Sequence, residues 1–217
     1  MDQDAKKTAL RMIPYGIYVL TADDGKGNVA AATVNWVTQT AFAPPLVVVG
    51  VKTDSGAYQI VKDTKTFALN MLGKDGKGNV AAATVNWVTQ TAFAPPLVVG
   101  VKTDSGAYQI VKNTKSFALN MLGKEQKGAA FAFFKPTKLE DGKLSGFAIH
   151  KGTTGAPILD AAPAAVECRV ASIVEQGDHH IVVGEVVEAH LPKPIVGRPD
   201  AAILEMKDLG DNVFYGG

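Results

Sequence analysis

The stretch TVNWVTQTAFAPPLVVVGVKTDSGAYQIVKDTKTFALNML, Thr33 to Leu72, decides the fold. Small and larger residues alternate through Asn28–Thr40, which reads as a strand with period two. Pro44 and Pro45 stop it, because proline cannot donate to a ladder. Leu46–Lys52 reads as a buried strand. Asp54 or Ser55 then caps a short helix, SGAYQIVKDTK, with Tyr58 and Val61 on one face. Phe67–Leu72 is the next strand. Upstream, Tyr15–Ala22 is β-rich and runs into the turn cluster DDGKGN. Downstream, Glu125–Lys138 is helical in tendency, and Pro163–His190 reads as a long hairpin turning at EQGDH. The tail suggests one further strand and a turn. The expected fold is mostly β: an antiparallel, Greek-key-like barrel with a few helices.

The same block is written twice. Residues 24–74 recur as 75–124, with 50 aligned pairs of which two differ, Asp63 against Asn113 and Thr66 against Ser116. Copy 1 carries one extra residue, Val49, in PPLVVVGVK against PPLVVGVK. Solenoid repeats diverge and come in threes or more, so this pair reads as a tandem duplication inside one domain, residues 1–217. A one-residue loss inside a strand flips every later side chain unless a bulge absorbs it. On that reasoning the two copies differ in how they present TVNW relative to VKTDS.

The bulk numbers exclude several classes. There are 22 basic and 21 acidic residues, net charge +1, and no basic run, which leaves nothing for nucleic acid or an anionic membrane to grip. No apolar stretch approaches a membrane span and the N-terminus lacks a signal core, so a cytoplasmic protein is expected. The single Cys168 lies in an apolar run and reads as core. GKG lacks phosphate-loop spacing, GxGxxG and GxSxG are absent, and the four histidines make no zinc set.

GIYVLTA, TVNWVTQTAFAPPLVVVGVK, a serine at a helix start, FALNML, GAPIL and GDHHIVVGEV, in this order, resemble the flavin reductase-like family, cyanobacterial flavin reductase modules and flavoredoxins among them. The resemblance implies an FMN-binding split barrel and a homodimer. It places Thr33, Asn35 and Trp36 beside the flavin ring and Thr38 to Thr40 near the ribityl–phosphate side. Plain core packing of Trp36 and a structural hydrogen bond at Asn35 stay open. Lys52, Thr53 and Ser55 precede a helix N-terminus, a setting suited to phosphate; Asp54 departs from the family there and opposes an anion. The copy 2 equivalents are Thr84, Asn86, Trp87, Thr89, Thr91, Lys102, Thr103 and Ser105. Gly177-Asp178-His179 resembles the element near the nicotinamide, so His179 is the candidate catalytic residue, oriented by Asp178; a plain hairpin turn is the other reading.

The expectation is an FMN-dependent oxidoreductase taking hydride from NAD(P)H and passing electrons to free flavin, a ferric complex or an acceptor protein. An electron-transfer flavoprotein without efficient NAD(P)H oxidation, and a cofactor-free variant spoiled by the duplication, are the alternatives. Copy 1, with the family-like strand length, is the first choice for barrel and cofactor, with copy 2 as an insertion. A barrel with early strands from copy 1 and later ones from copy 2, and a domain-swapped dimer, are the other arrangements.

Overall fold

The computed structural model describes residues 1–14, 16, 18–71, 88–90, 96–134, 137, 139–211 and 213; of residues 19, 42, 70, 71 and 88–90 the backbone alone is described. Thr84, Asn86, Trp87 and Thr91 lie outside the described residues, as does the side chain of Thr89.

The chain opens with a helix, α1 (Gln3–Leu10), whose first turn is capped by the Asp2 carboxylate. This helix was not apparent from the charged N-terminal sequence. Strands β1 (Tyr18–Asp23), β2 (Val29–Val34), β3 (Val37–Phe42) and β4 (Pro45–Val49) follow. Asn35-Trp36 thus interrupts what reads as one strand. Helix α2 (Gly56–Thr64) and β5 (Ala68–Met71) complete copy 1. Copy 2 supplies β6 (Val88–Gln90), β7 (Leu97–Lys102), α3 (Gly106–Thr114) and β8 (Ser116–Met121). After α4 (Lys127–Phe133) come four short strands, β9 (Leu139–Glu140), β10 (Lys143–Leu144), β11 (Phe147–Lys151) and β12 (Pro157–Leu159). The long hairpin is β13 (Ala164–Val174) and β14 (His179–His190). The tail forms α5 (Pro199–Ala202) and a 3-10 turn, Met206–Leu209, with an isolated bridge Gly123–Ile203 where a strand was expected.

All strand pairings among the described residues are antiparallel, and the mostly-β fold class is as expected. The repeat sorts into different sheets. Copy 1 joins the N-terminal strand in the order β2-β1-β5, with β3-β4 as a separate pair. Copy 2 joins the C-terminal hairpin in the order β6-β7-β14-β13-β8. The second half of copy 2 therefore flanks the hairpin, against the expectation that copy 1 fills every slot. Each sheet has its own core. Tyr18, Leu20, Val34, Val37 and Ala57 pack together in the first. Ala9, Met12, Leu97, Val166 and Val186 pack in the second, with Cys168 buried among them. Burial pushes the Cys168 thiol up to about 12, and the neighbouring Glu167 charge adds to the rise.

The one-residue difference leaves the hairpin register intact. Copy 1 pairs Val37 with Val49, Thr38 with Val48 and Gln39 with Val47. Copy 2 pairs Val88 with Val99, Thr89 with Val98 and Gln90 with Leu97. Counted back from Gly50 and Gly100, these are the same positions. Pro96 stands where Leu46 does, so the deletion falls at the proline end of the strand rather than in its middle. In copy 1 the slack appears as a bulge at Thr40, between Gln39 and Ala41. The pairing of Val88–Gln90 thus matches that of Val37–Gln39, while the copy 2 TVNW segment, on which the expected difference in presentation bears, lies outside the described residues.

Phe67 and Phe117 are sequence equivalents with different neighbours. Phe67 is exposed. Phe117 covers Gly184 of β14, where an added Cβ would meet the Phe117 ring at 2.5 Å and Cys168 Cβ at 3.0 Å. Gly184→Ala should therefore cost about 1–3 kcal/mol by overpacking. The same substitution at Gly128, with nothing within 4 Å, should not. Chemical denaturation of the two variants checks this.

Candidate functional site

The two copies meet at the turn preceding β14. Gly177-Asp178-His179 lies between the β3–β4 turn of copy 1 and the loop after β7 of copy 2. Asp178 N–H donates to Ala43 O (3.1 Å), and Ala43 N–H donates back to Asp178 Oδ1 (3.3 Å). On the other side Thr103 donates to Asp178 O through both its amide and its hydroxyl, each at 3.2 Å. One aspartate thus ties copy 1 to copy 2. Gly177 makes the approach feasible: its φ is +78°, and an added Cβ would lie 2.8 Å from Ala41 Cβ.

His179 is buried, with Nδ1 3.3 Å from Asp178 Oδ1. The next residue, His180, faces the helix of copy 2. Its Nδ1 lies 2.6 Å from the Tyr108 hydroxyl, and the two rings meet edge to face. Tyr108 also donates to Glu175 Oε1 (3.1 Å), which Lys112 bonds at 2.8 Å. The Lys112 ammonium holds the Glu175 carboxyl below its usual range. Tyr108, Glu175, Lys112 and His180 thus pin α3 to the hairpin. Sequence reading did not single out Tyr108, because its copy 1 twin Tyr58 carries the same pattern.

Strand β3 packs against β7 and β14. Its Thr38 and Thr40 are fully buried. Thr38 donates to Gln39 O. Thr40 sits on the bulge, and its hydroxyl has no hydrogen-bond partner among the described residues. A buried orphan hydroxyl on a bulge is a common mark of a ligand-facing position.

The remaining candidates are more dispersed. Thr33 and Asn35 are exposed, on β2 and just beyond it, and Trp36 is half-buried. Ser55 and Ser105 each cap their helix, accepting from Tyr58 N–H and Tyr108 N–H at 3.1 Å. Lys52 and Lys102 pair with Asp54 and Asp104 on the surface, at 3.0 and 3.6 Å. Thr53 precedes α2 in the loop of copy 1, whereas it is Thr103 of copy 2 that bonds Asp178. The reason is strand length: β4 ends at Val49, while β7 continues to Lys102 opposite His179.

A separate buried charge lies under the loop Gly152–Gly155. The Glu167 carboxylate accepts from Thr153 N–H (2.9 Å), Thr154 N–H (2.6 Å), the Thr154 hydroxyl (2.6 Å) and His190 Nε2 (2.7 Å). Burial acts to raise its pKa, but the donors from Thr154, His190 and Thr153 outweigh it and hold the carboxyl at about 2.

The sequence matches the flavin reductase like domain twice, over residues 10–78 and 73–200. The chain belongs to the flavin reductase-like family. It is 32% identical over 200 residues to a flavin reductase (NADH) of Kitasatospora aureofaciens, covering 92% of this chain and 77% of that protein. It is 27% identical over 193 residues to diflavin flavoprotein A 1 of Synechocystis, covering 89% of this chain but 25% of that protein. Among solved structures, the NADH:FAD oxidoreductase SgcE6 of Streptomyces globisporus is 20% identical, with a TM-score of 0.42 over 88% of this chain and 83% of that one.

Proposed function

We propose that this chain is an NAD(P)H-dependent flavin reductase that works with FMN bound where the two copies meet. The observation that carries the reading is buried His179 beside the part-exposed Asp178, in a turn held between the threonine strand of copy 1 and the Thr103 loop of copy 2. The buried orphan hydroxyl of Thr40 fits a polar ligand such as the ribityl chain of a flavin, and Gly177 lets backbone approach closely. A bound flavin would supply the hydride acceptor and pass electrons onward.

The protein's own part is positioning and proton control. Thr38 and Thr40 present hydroxyls from a rigid strand. Thr103, with Lys102 and Ser105 at the start of α3, lies on the side where backbone N–H groups favour phosphate. Asp104 lowers the positive potential there, so the phosphate contact rests more on N–H groups than on Lys102. Asp178 orients His179, which would contact the nicotinamide or hold a proton beside the reduced flavin. Trp36 supplies an apolar wall. The Lys52–Ser55 loop is the second, sequence-equivalent claimant for the phosphate. The homodimer and an acceptor protein remain part of the proposal, with free flavin or a ferric complex as the other acceptors. The second reading is an electron-transfer flavoprotein that oxidises NAD(P)H poorly.

The test is a visible spectrum of protein loaded with FMN, before and after anaerobic NADH. A flavin band that bleaches supports the reductase; a bound band that stays supports the carrier. His179→Ala should slow the bleach about 10²-fold or more while leaving FMN bound, the scale of a general acid–base or orienting residue. Full-rate bleaching by that variant removes His179 from the mechanism.

A further inference from the structure

The strands FALNM of the two copies use opposite edges. In β8, Val170 N–H donates to Lys115 O, which fixes the parity of that ladder. Backbone groups alternate sides along a strand, so Phe117, Leu119 and Met121 point their N–H and C=O toward β13. Ala118 and Asn120 then point to the other edge. β8 ends its sheet; along Ala118–Asn120 no strand among the described residues pairs with that edge, and beyond the strand Leu122 O accepts from Leu204 N–H (2.7 Å).

In β1, Asp24 N–H donates to Asn28 O, which aims the even-numbered residues at β2. The odd ones, Val19 and Thr21, therefore aim at β5, where they pair with Asn70 and Ala68. Those two residues are the equivalents of Asn120 and Ala118. What β5 offers to β1 is thus the edge that β8 leaves open. The edge that β8 offers to β13 is, in β5, the one that ends its sheet.

The space beside β8 fits the same picture. A cavity of about 430 Å³ is lined by Leu119, Met121, Phe133, Met206 and, from the chain entering β1, Ile13 and Pro14. The polypeptide four residues before Tyr18 already borders this cavity.

We propose that β1 is an exchangeable strand. It leaves β5 and docks on the open edge of β8 in the same register, Thr21 opposite Ala118 and Leu20 opposite Leu119. One FALNM strand then joins β1 to β13. The N-terminal sheet, β3 of copy 1 and the hairpin become one continuous barrel wall, and β5 is displaced. The exchange leaves the contacts of Asp178 with Ala43 and Thr103 in place. It does not depend on whether a flavin is bound there.

Disulfide trapping in the full chain tests this, in a Cys168→Ala background. The variant carries Thr21→Cys, Ala68→Cys and Ala118→Cys together, so position 21 partitions between two in-register partners within disulfide reach. Peptide mapping of the oxidised monomer should find both the 21–68 and the 21–118 bonds. A matched variant with Ser116→Cys in place of Ala118→Cys sets the out-of-register background, and 21–118 should exceed 21–116 about tenfold, because a two-residue offset moves the partners out of reach. A monomer holding 21–68 alone overturns the proposal, as does a 21–118 bond found only between chains, which would mean a strand swap. Native-state amide exchange on the unmodified chain is the independent check. Ala68 and Asn70 amides should open well below the cost of global unfolding; opening only with the whole protein overturns the exchange.

Discussion

Glu167→Gln should lower stability by about 3–5 kcal/mol at neutral pH, the range for breaking one partner of a buried charged network. For a chain of this size that is a fall in Tm of roughly 6–20 °C. The side chain keeps its shape, but its amide presents N–H groups to a cage of donors. Either Thr153 and His190, which share Oε1, or Thr154, which bonds Oε2 twice, then faces a nitrogen in place of a carboxylate oxygen. The effect should also depend on pH. The Glu167 pKa is depressed from 4.5 to about 2 in the folded protein. Above pH 4.5 the folded and unfolded chains both carry the charge, and the advantage of the native cage, about 3 kcal/mol, is fully present. As pH falls from about 5 toward 2 the unfolded chain takes up the proton first, so the advantage drains away. Denaturation of wild type and variant at pH 7, 5, 4 and 3 should show the gap closing. A gap that stays constant to pH 3 would contradict the origin assigned to the low pKa. Cys168, whose thiol stays protonated through this range, contributes nothing to the slope.

Gly177→Ala is expected to separate the two halves of the candidate site. A left-handed backbone costs a non-glycine residue about 1–2 kcal/mol. The close approach to Ala41 adds about 1–3 kcal/mol of overpacking. Gly155 supplies the control, since its φ is +82° but nothing lies within 4 Å of an added Cβ. Gly155→Ala should show the backbone cost alone. The difference between the two variants measures the contact between the turn and copy 1. Flavin retention should fall in Gly177→Ala and not in Gly155→Ala, if the site lies where proposed. Equal losses of stability in the two variants would show that the hairpin turn does not bear on β3.

The strands of the repeat, both serine-capped helices and the long hairpin were legible because each rests on local signals: alternation, a proline stop, an N-cap serine. The interruption at Asn35-Trp36 and the short strands between Leu139 and Leu159 were not, since two- to five-residue strands leave too little pattern to read. Helix α1 was hidden by its polarity; Asp2 was its signal. The sorting of the copies could not be read locally at all, because identical segments have identical preferences. Chain connectivity breaks the tie. β1 pairs the FALNM nearer to it in sequence, and β13 pairs the one nearer to it. Closing the shorter loop is favoured by only about 0.6 kcal/mol per doubling of length, a small bias between equal claimants. At the candidate site, His179, Asp178 and Thr40 were named through the family resemblance. Thr103 was named as the copy 2 equivalent of Thr53; its bond to Asp178, and the part of Tyr108, emerged once copy 2 took its place beside the hairpin.

The proline end of the β3–β4 ribbon has one further consequence. A residue gained or lost there changes the turn and leaves the ladder beyond it in phase. Length variation at this corner therefore leaves the pairing of the β3–β4 ribbon unchanged up to Gly50 or Gly100. Two blocks that differ by one residue can thus build the same ribbon pairing in two different sheets. The pair of copies is less an original and a damaged duplicate than one ribbon serving two neighbourhoods.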